Sequence, residues 1–81
     1  MSKKVEIYST ASCHFCHMAK EFFSANNITF TDYNVGIDME KRREMIDKSG
    51  QMGVPVIVID DQNVIVGFDQ PKLADFLGVS V

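Results

Sequence analysis

The sequence is poor in several features, and each shortage argues against a class of protein. Two cysteines in 81 residues are too few for the disulfide framework that stabilises many small secreted domains. Eight basic residues are outnumbered by eleven acidic ones, and the net charge of −3 argues against a general nucleic-acid surface. No apolar stretch approaches the length that spans a membrane. Because we find no repeat, low-complexity tract or linker, we predict a single domain over residues 1–81.

We also find no export signal. Residues 1–4 have the charge of a signal's first segment, but Glu6 interrupts the apolar segment that would have to follow. No small-residue cleavage site follows a long apolar run. We therefore expect a reducing, cytoplasmic location, where two neighbouring cysteines more often carry chemistry than structure.

The hydrophobic pattern predicts alternating strands and helices. We expect strands over residues 4–8, 28–35, 54–59 and 64–66. Ser12, Asp38 and Asp69 are expected to cap three helices, which end near Asn26, Lys48 and Leu77. The β-branched residues of the third strand are typical of a strand that is buried on both faces.

This order of elements predicts how the strands pair and which helix residues are buried. The first two strands should be parallel, joined by a right-handed crossover, and the last two should form a hairpin. In the first helix, Lys20 and Glu21 are expected outside, and the core face is predicted to contain Phe15, Ala19, Phe22 and Phe23. In the second helix, the inner side is predicted to contain Met39, Ile46 and the aliphatic part of Arg43, with Met45 beside them.

The two cysteines lie in one motif, Cys13-His14-Phe15-Cys16, between the first strand and the first helix. A Cys-x-x-Cys pair at such a junction is typical of a redox-active dithiol. One helical turn brings the sulfurs close together, and the N-terminus of a helix favours a thiolate. We therefore predict that Cys13 is the nucleophile and that Cys16 resolves the mixed disulfide.

Other interpretations of these residues remain open. With His17 the motif matches the c-type haem attachment pattern, although haem would also require export, a second axial ligand and a pocket. A zinc or Fe–S module is the main alternative, although one chain lacks the second Cys-x-x-Cys that a four-thiolate site needs. His14 either adds positive charge beside Cys13 below neutral pH or is a bystander.

Three motifs in order resemble those of the glutaredoxin-like redoxins of the thioredoxin-fold superfamily. They are the cysteine motif, Gly53-Val54-Pro55 before the third strand and Gly67-Phe68-Asp69 after the fourth. The resemblance implies an α/β thioredoxin fold, a four-stranded mixed sheet with three helices in the order βαβαββα. It also implies a monomeric thiol–disulfide oxidoreductase without a tightly bound cofactor or metal. Such a protein acts on a disulfide-containing protein substrate and draws electrons from glutathione or thioredoxin reductase.

The resemblance further implies a substrate groove beside the cysteines. A cis Val54-Pro55 bond would face the dithiol and present the backbone of Val54 to an extended substrate. The substrate-binding residues implied in this way are Thr10, His14, Phe15, Val54, Pro55, Gly67, Phe68 and Asp69.

The motifs depart from those of glutathione-using glutaredoxins in three places. His14 and Phe15 replace the usual Pro-Tyr between the cysteines, and Thr10 stands where a lysine is often found. Phe68 occupies the position of a second glycine. The Gly67-Phe68 pair is more similar to NrdH-type redoxins, which draw electrons from thioredoxin reductase. The departures therefore predict that glutathione is the poorer reductant.

Overall fold

The computed structural model describes residues 3–79, which fold into four strands and three helices in the predicted βαβαββα order. The elements in chain order are β1 (Val5–Ser9), α1 (His14–Ala25), β2 (Thr31–Asn34), α2 (Met39–Ser49), β3 (Val56–Ile59), β4 (Asn63–Val66) and α3 (Gln70–Leu77). Residues 1, 2, 80 and 81 lie outside the described residues. The predicted domain includes all four of them, and the comparison with an export signal includes the first two. None of the helices between residues 3 and 79 is both long enough and apolar enough to cross a bilayer.

The four strands form one mixed sheet in the order β2-β1-β3-β4. β1 runs parallel to β2 and antiparallel to β3, and β3 and β4 form the predicted antiparallel hairpin. All four residues of β3 are buried, as the β-branched run predicts for a strand with helices on both sides. β3 begins at Val56 and not at Val54, because Pro55 has no N–H to give to a strand ladder.

The core has two layers, one on each face of the sheet, because successive strand side chains point to opposite faces. Ile7 and Ile57 belong to the layer that packs against α1 and α3. The helical residues of that layer are Ala19, Phe22, Phe23, Leu73 and Ala74. On the other face, Tyr8 and Val56 pack with Met45 of α2. Helices therefore cover both faces, as expected.

The start of α1 differs from the prediction in two ways. The N-cap is Cys13 and not Ser12, and the helix begins at His14. Phe15 is 56% exposed and does not belong to the core, so that prediction was wrong. The buried side of the first turn passes through Cys16, and Phe15, one residue earlier, is rotated from it by about 100°.

Two further predictions failed in detail. β2 covers only residues 31–34 of the predicted 28–35, because Ile28 and Phe30 pack against the core before strand pairing begins. In α2, Met45 is fully buried, whereas Met39 is 62% exposed and does not lie on the inner side. Met39 is the first residue of the helix, one residue after its cap, and the sheet is contacted a turn and a half later.

The predicted helix caps are present at the other two helices. Asp38 and Asp69 each accept a hydrogen bond from the backbone N–H three residues on, at 3.1 and 3.2 Å. Gly50 and Gly78 end α2 and α3 in the left-handed conformation, with φ of 72° and 68°. Glycine adopts this conformation without the steric cost that a Cβ brings.

Polar contacts attach α2 to the sheet. The Tyr8 hydroxyl donates to Glu44 Oε1 at 2.5 Å, and the Tyr33 hydroxyl donates to Glu6 Oε2 at 2.7 Å. Hydrogen bonding from Tyr8 lowers the pKa of Glu44, and burial raises the pKa of Tyr8. Lys41 lies 4.3 Å above the centre of the Tyr33 ring and 3.2 Å from Glu44. The position of α2 is thereby fixed by side chains from both β1 and β2.

The two methionines of α2 provide a matched test of this packing. We expect Met45→Ala to lower the free energy of unfolding by about 2–5 kcal/mol, because it leaves a cavity under the sheet. Met39→Ala should change it by less than about 0.5 kcal/mol, because that side chain is largely in water. Urea unfolding followed by circular dichroism measures both. Equal losses in the two variants would contradict the assignment of Met45 to the core.

Candidate active site

Every segment of the predicted site lies at one end of the sheet. Tyr8 of β1 pairs with Val56 of β3, which in turn pairs with Val66 of β4. The chain therefore leaves β1 towards the cysteines, enters β3 from Val54-Pro55 and leaves β4 into Gly67-Phe68, all at the same end of the sheet. The N–H of Gly67 donates to the Pro55 carbonyl at 2.8 Å, which joins two of these segments directly.

The two cysteine sulfurs have different environments although they lie one helical turn apart. Cys13 is partly exposed, and its Sγ accepts a hydrogen bond from the backbone N–H of Cys16 at 3.2 Å. Cys16 is fully buried, and both residues are free thiols. The exposed sulfur therefore lies at the start of the helix, where backbone N–H groups have no partner within the helix.

Burial strongly affects the inner thiol. It raises the pKa of Cys16 to about 12, and the hydrogen bond with Cys13 adds to this rise. The backbone of Thr10 and the charge of Lys20 act in the opposite direction but do not cancel it. The folded protein therefore holds Cys16 in its protonated form at neutral pH.

The loop between β1 and α1 is held by two hydrogen bonds. The N–H of Cys13 donates to the Thr10 carbonyl at 3.4 Å. The ring Nε2 of His17 lies 3.0 Å from the Ala11 carbonyl oxygen. From the sequence His17 was considered as part of the haem attachment pattern, and here its ring contacts the loop that carries Cys13. His14 is exposed and stacks edge-on against Phe15, with ring centres 5.7 Å apart.

The proline and the aromatic residues border this region. The Val54-Pro55 bond is cis, as the resemblance implies, and Pro55 is buried. Phe68 is half-buried and packs against Phe22 with ring centres 6.0 Å apart. These two rings and Met18 line a surface groove of about 270 Å³ beside α1.

The remaining predicted residues have local structural contacts. Asp69 caps α3 by accepting a hydrogen bond from the N–H of Lys72. A Cβ built on Gly36 would lie 3.7 Å from the side chain of Thr10, so the segment after β2 also reaches this end of the sheet. The exposed Phe15 is the largest apolar side chain within the cysteine motif.

A charged group one helical turn after Cys16 was not assigned to the site from the sequence. Lys20, expected outside, has a side chain only 24% exposed, and its Nζ lies 2.6 Å from Asp32 Oδ2. The Ser9 hydroxyl donates to the other oxygen of that carboxylate at 2.6 Å. The four-residue spacing between Cys16 and Lys20 was the available signal, since such residues lie on one helix face.

The donors available in residues 3–79 do not fit a metal centre. No group of three histidine, cysteine, aspartate or glutamate side chains is arranged there to hold an ion. The two thiols are adjacent, but the neighbouring His17 ring contacts the Ala11 carbonyl. The arrangement does not favour the metal-binding alternative.

Comparison with known proteins identifies the family. The model of the glutaredoxin family matches residues 5–64 of the chain. The chain belongs to the glutaredoxin family. A glutaredoxin-family domain supports thiol–disulfide oxidoreductase activity in general terms, so the Cys13–Cys16 pair is the candidate redox centre.

Two curated relatives cover most of this glutaredoxin. An uncharacterized glutaredoxin-like 8.6 kDa protein in the rubredoxin operon of Clostridium pasteurianum is 48% identical over 69 residues, 85% of this chain and 91% of its own. Glutaredoxin 3 of Escherichia coli is 40% identical over 60 residues, 74% of this chain and 72% of its own.

Solved structures agree with the fold. The thioredoxin-like protein BC3987 is 31% identical, with a TM-score of 0.84 over 91% of this chain and 100% of its own. The NrdH-redoxin of Escherichia coli has a TM-score of 0.77 over 96% of this chain and 99% of its own, at 23% identity. At that identity the likeness concerns the fold alone.

The unequal thiols predict selective alkylation. A short pulse of iodoacetamide at pH 7 should modify Cys13 and leave Cys16 unmodified, because Cys16 is buried and its pKa is raised to about 12. Raising the pH to 9 should not change this preference, since Cys16 remains protonated there. Mass mapping of the modified peptides measures the outcome. In urea both cysteines should react, and faster modification of Cys16 in the folded protein would reverse the assignment.

Proposed function

We propose that this glutaredoxin reduces disulfides with Cys13 as the attacking thiol and Cys16 as the resolving thiol. The observation that carries the proposal is the difference between the two sulfurs. Cys13 is accessible and accepts a backbone hydrogen bond, whereas Cys16 is buried. An attacking sulfur must reach a substrate in solution, and a resolving sulfur needs only to reach its neighbour.

The proposed reaction proceeds in two exchanges. The Cys13 thiolate attacks one sulfur of the substrate disulfide, whose S–S bond breaks, and the second substrate sulfur leaves with the electron pair and takes a proton from water. Cys16 then loses its proton to water, and its thiolate attacks the Cys13 sulfur. The bond between Cys13 and the substrate breaks, and the first substrate sulfur leaves with the electron pair. The substrate gains two electrons, and the protein ends with a Cys13–Cys16 disulfide that an external reductant must reopen.

The segments at the active end of the sheet are proposed to bind the substrate. We propose that the backbone of Val54 pairs with an extended substrate chain, as in strand addition. Phe15 offers exposed apolar surface, and Phe68 borders the groove beside α1. The other proposed contacts are Thr10, His14, Pro55, Gly67 and Asp69. We further propose that residues 1–81 act as one monomeric domain in a reducing, cytoplasmic setting, on disulfide-containing proteins.

Exchanging each cysteine for serine tests the division of roles. Cys13→Ser should lower disulfide reduction to the rate without protein, because the attacking sulfur is gone. In glutathione-free buffer, Cys16→Ser should accumulate a mixed disulfide with a protein disulfide substrate, because nothing releases the first sulfur. Non-reducing electrophoresis and mass spectrometry of both variants give the result. A trapped complex through Cys16 in the Cys13→Ser protein would reverse the roles.

We also propose that thioredoxin reductase, and not glutathione, supplies most of the electrons. Carboxylates of glutathione need a cation, and Thr10 brings none to the loop before the cysteines. Phe68 fills the position where a second glycine would leave room for a close backbone approach. Lys41 of α2 is already paired with Glu44 and stacked on Tyr33. Of the three consecutive cations in α2, only Arg42 and Arg43 are therefore left to bind a glutathione carboxylate.

Coupled oxidation of NADPH compares the two donors on one disulfide substrate. We expect faster turnover with thioredoxin reductase than with glutathione plus glutathione reductase. The Thr10→Lys variant should increase turnover with glutathione relative to turnover with thioredoxin reductase, because it adds the missing cation. Ser12→Lys, in the same loop, is the control for a general effect of positive charge. Faster turnover of the original protein with glutathione would refute the proposed donor but not the dithiol mechanism.

A further inference from the structure

Burial of Cys16 creates a difficulty for the proposed reaction. The resolving sulfur must become a thiolate to attack Cys13, yet it is fully buried and burial disfavours the charged form. A nearby positive charge would offset part of this cost. The inference below rests on the proposed function and concerns its second exchange.

Lys20 is the cation placed to offset this cost. It follows Cys16 by four residues in α1, so the two side chains share one face of the helix. The Lys20 side chain is 24% exposed, so most of its surface is covered. A partly buried charge is screened less by salt and water than an exposed one.

The lysine is held in place by a carboxylate that is 37% exposed and is itself held by a buried serine. Asp32 of β2 contacts the Lys20 Nζ at 2.6 Å through Oδ2 and accepts the Ser9 hydroxyl at 2.6 Å through Oδ1. Ser9 is buried at the end of β1, four residues before Cys13. The strand that leads to the dithiol therefore fixes the carboxylate, and the carboxylate fixes the ammonium group.

We propose that Lys20, anchored by Asp32 and Ser9, is a positioning residue that promotes formation of the Cys16 thiolate in the resolving exchange. The proton of Cys16 passes to water, the thiolate attacks the Cys13 sulfur, and the substrate sulfur leaves with the bonding electron pair. Lys20 keeps its proton throughout and supplies only charge. The ionisable groups in direct contact with this pair are Cys13, whose sulfur accepts the Cys16 N–H, and Asp32, which contacts the Lys20 ammonium.

The two exchanges can be followed separately with dithiobis(nitrobenzoate). Cys13 attack releases the first nitrothiobenzoate, and Cys16 attack on the mixed disulfide releases the second. For Lys20→Met we expect the first release to be unchanged and the second to slow by about three- to tenfold at pH 7. The rate–pH curve of the second release should move to higher pH by about 0.5–1, which corresponds to that loss of thiolate.

Charge-retaining and distant variants separate this effect from damage to the fold. Lys20→Arg should keep the second release within about twofold of the original rate, on the expectation that retaining the charge retains most of the effect. Lys48→Met removes a lysine of comparable exposure that is paired with Glu44 on α2, and it should change neither release. If Lys20→Arg is as slow as Lys20→Met, the role is structural and the proposal is overturned.

The double variant Lys20→Met/Asp32→Asn tests whether the cation itself matters. Lys20→Met alone leaves an unpaired carboxylate, which would also disfavour a thiolate. We expect the double variant to remain slow, and recovery of the original rate would overturn the proposal. An unchanged second release in Lys20→Met would overturn it as well. Failure of the first release in the unmodified protein would instead refute the proposed function.

Discussion

The antiparallel pairing of β1 with β3 is the constraint on which the site depends. It sets Tyr8 opposite Val56, so the last residues of β1 and the first residues of β3 lie at the same end of the sheet. The cysteine loop follows the first strand, and the Val54-Pro55 bond precedes the second. Burial of β3 between two helical layers makes this register costly to change, since a shift of one residue would turn every side chain to the opposite face.

The difference between the two thiols follows from where the helix begins. A cysteine at the N-cap has its sulfur at the free N–H groups, whereas a residue three positions later has already turned towards the sheet. Two residues of the same type therefore acquire different exposure because of their positions at the start of one helix. The cation at Lys20 extends this arrangement by one more turn of the same helix.

Much of the fold could be predicted from the sequence, and the failures share one physical origin. The order of elements, the buried strand and the caps Asp38 and Asp69 follow from local patterns, which need no knowledge of neighbours. Phe15 was assigned to the core because hydrophobicity alone does not show which side of the first helical turn faces the sheet. Met39 was assigned to it because hydrophobicity does not show at which turn of a helix the contact with the sheet begins. Lys20 was assigned to solvent because its partner, Asp32, lies on another element, and such long-range pairing leaves no trace in local sequence.

The hydrogen bond from the Cys16 backbone to the Cys13 sulfur has a thermodynamic consequence. It caps α1 most strongly when that sulfur is a thiolate, so it contributes to the stability of the reduced protein more than to that of the oxidised one. Folding and oxidation of the dithiol form a closed thermodynamic cycle. An interaction that stabilises the reduced fold more than the oxidised fold therefore also makes the dithiol a weaker electron donor. The resistance of this protein to unfolding and its reducing strength are therefore opposing demands at the first turn of one helix.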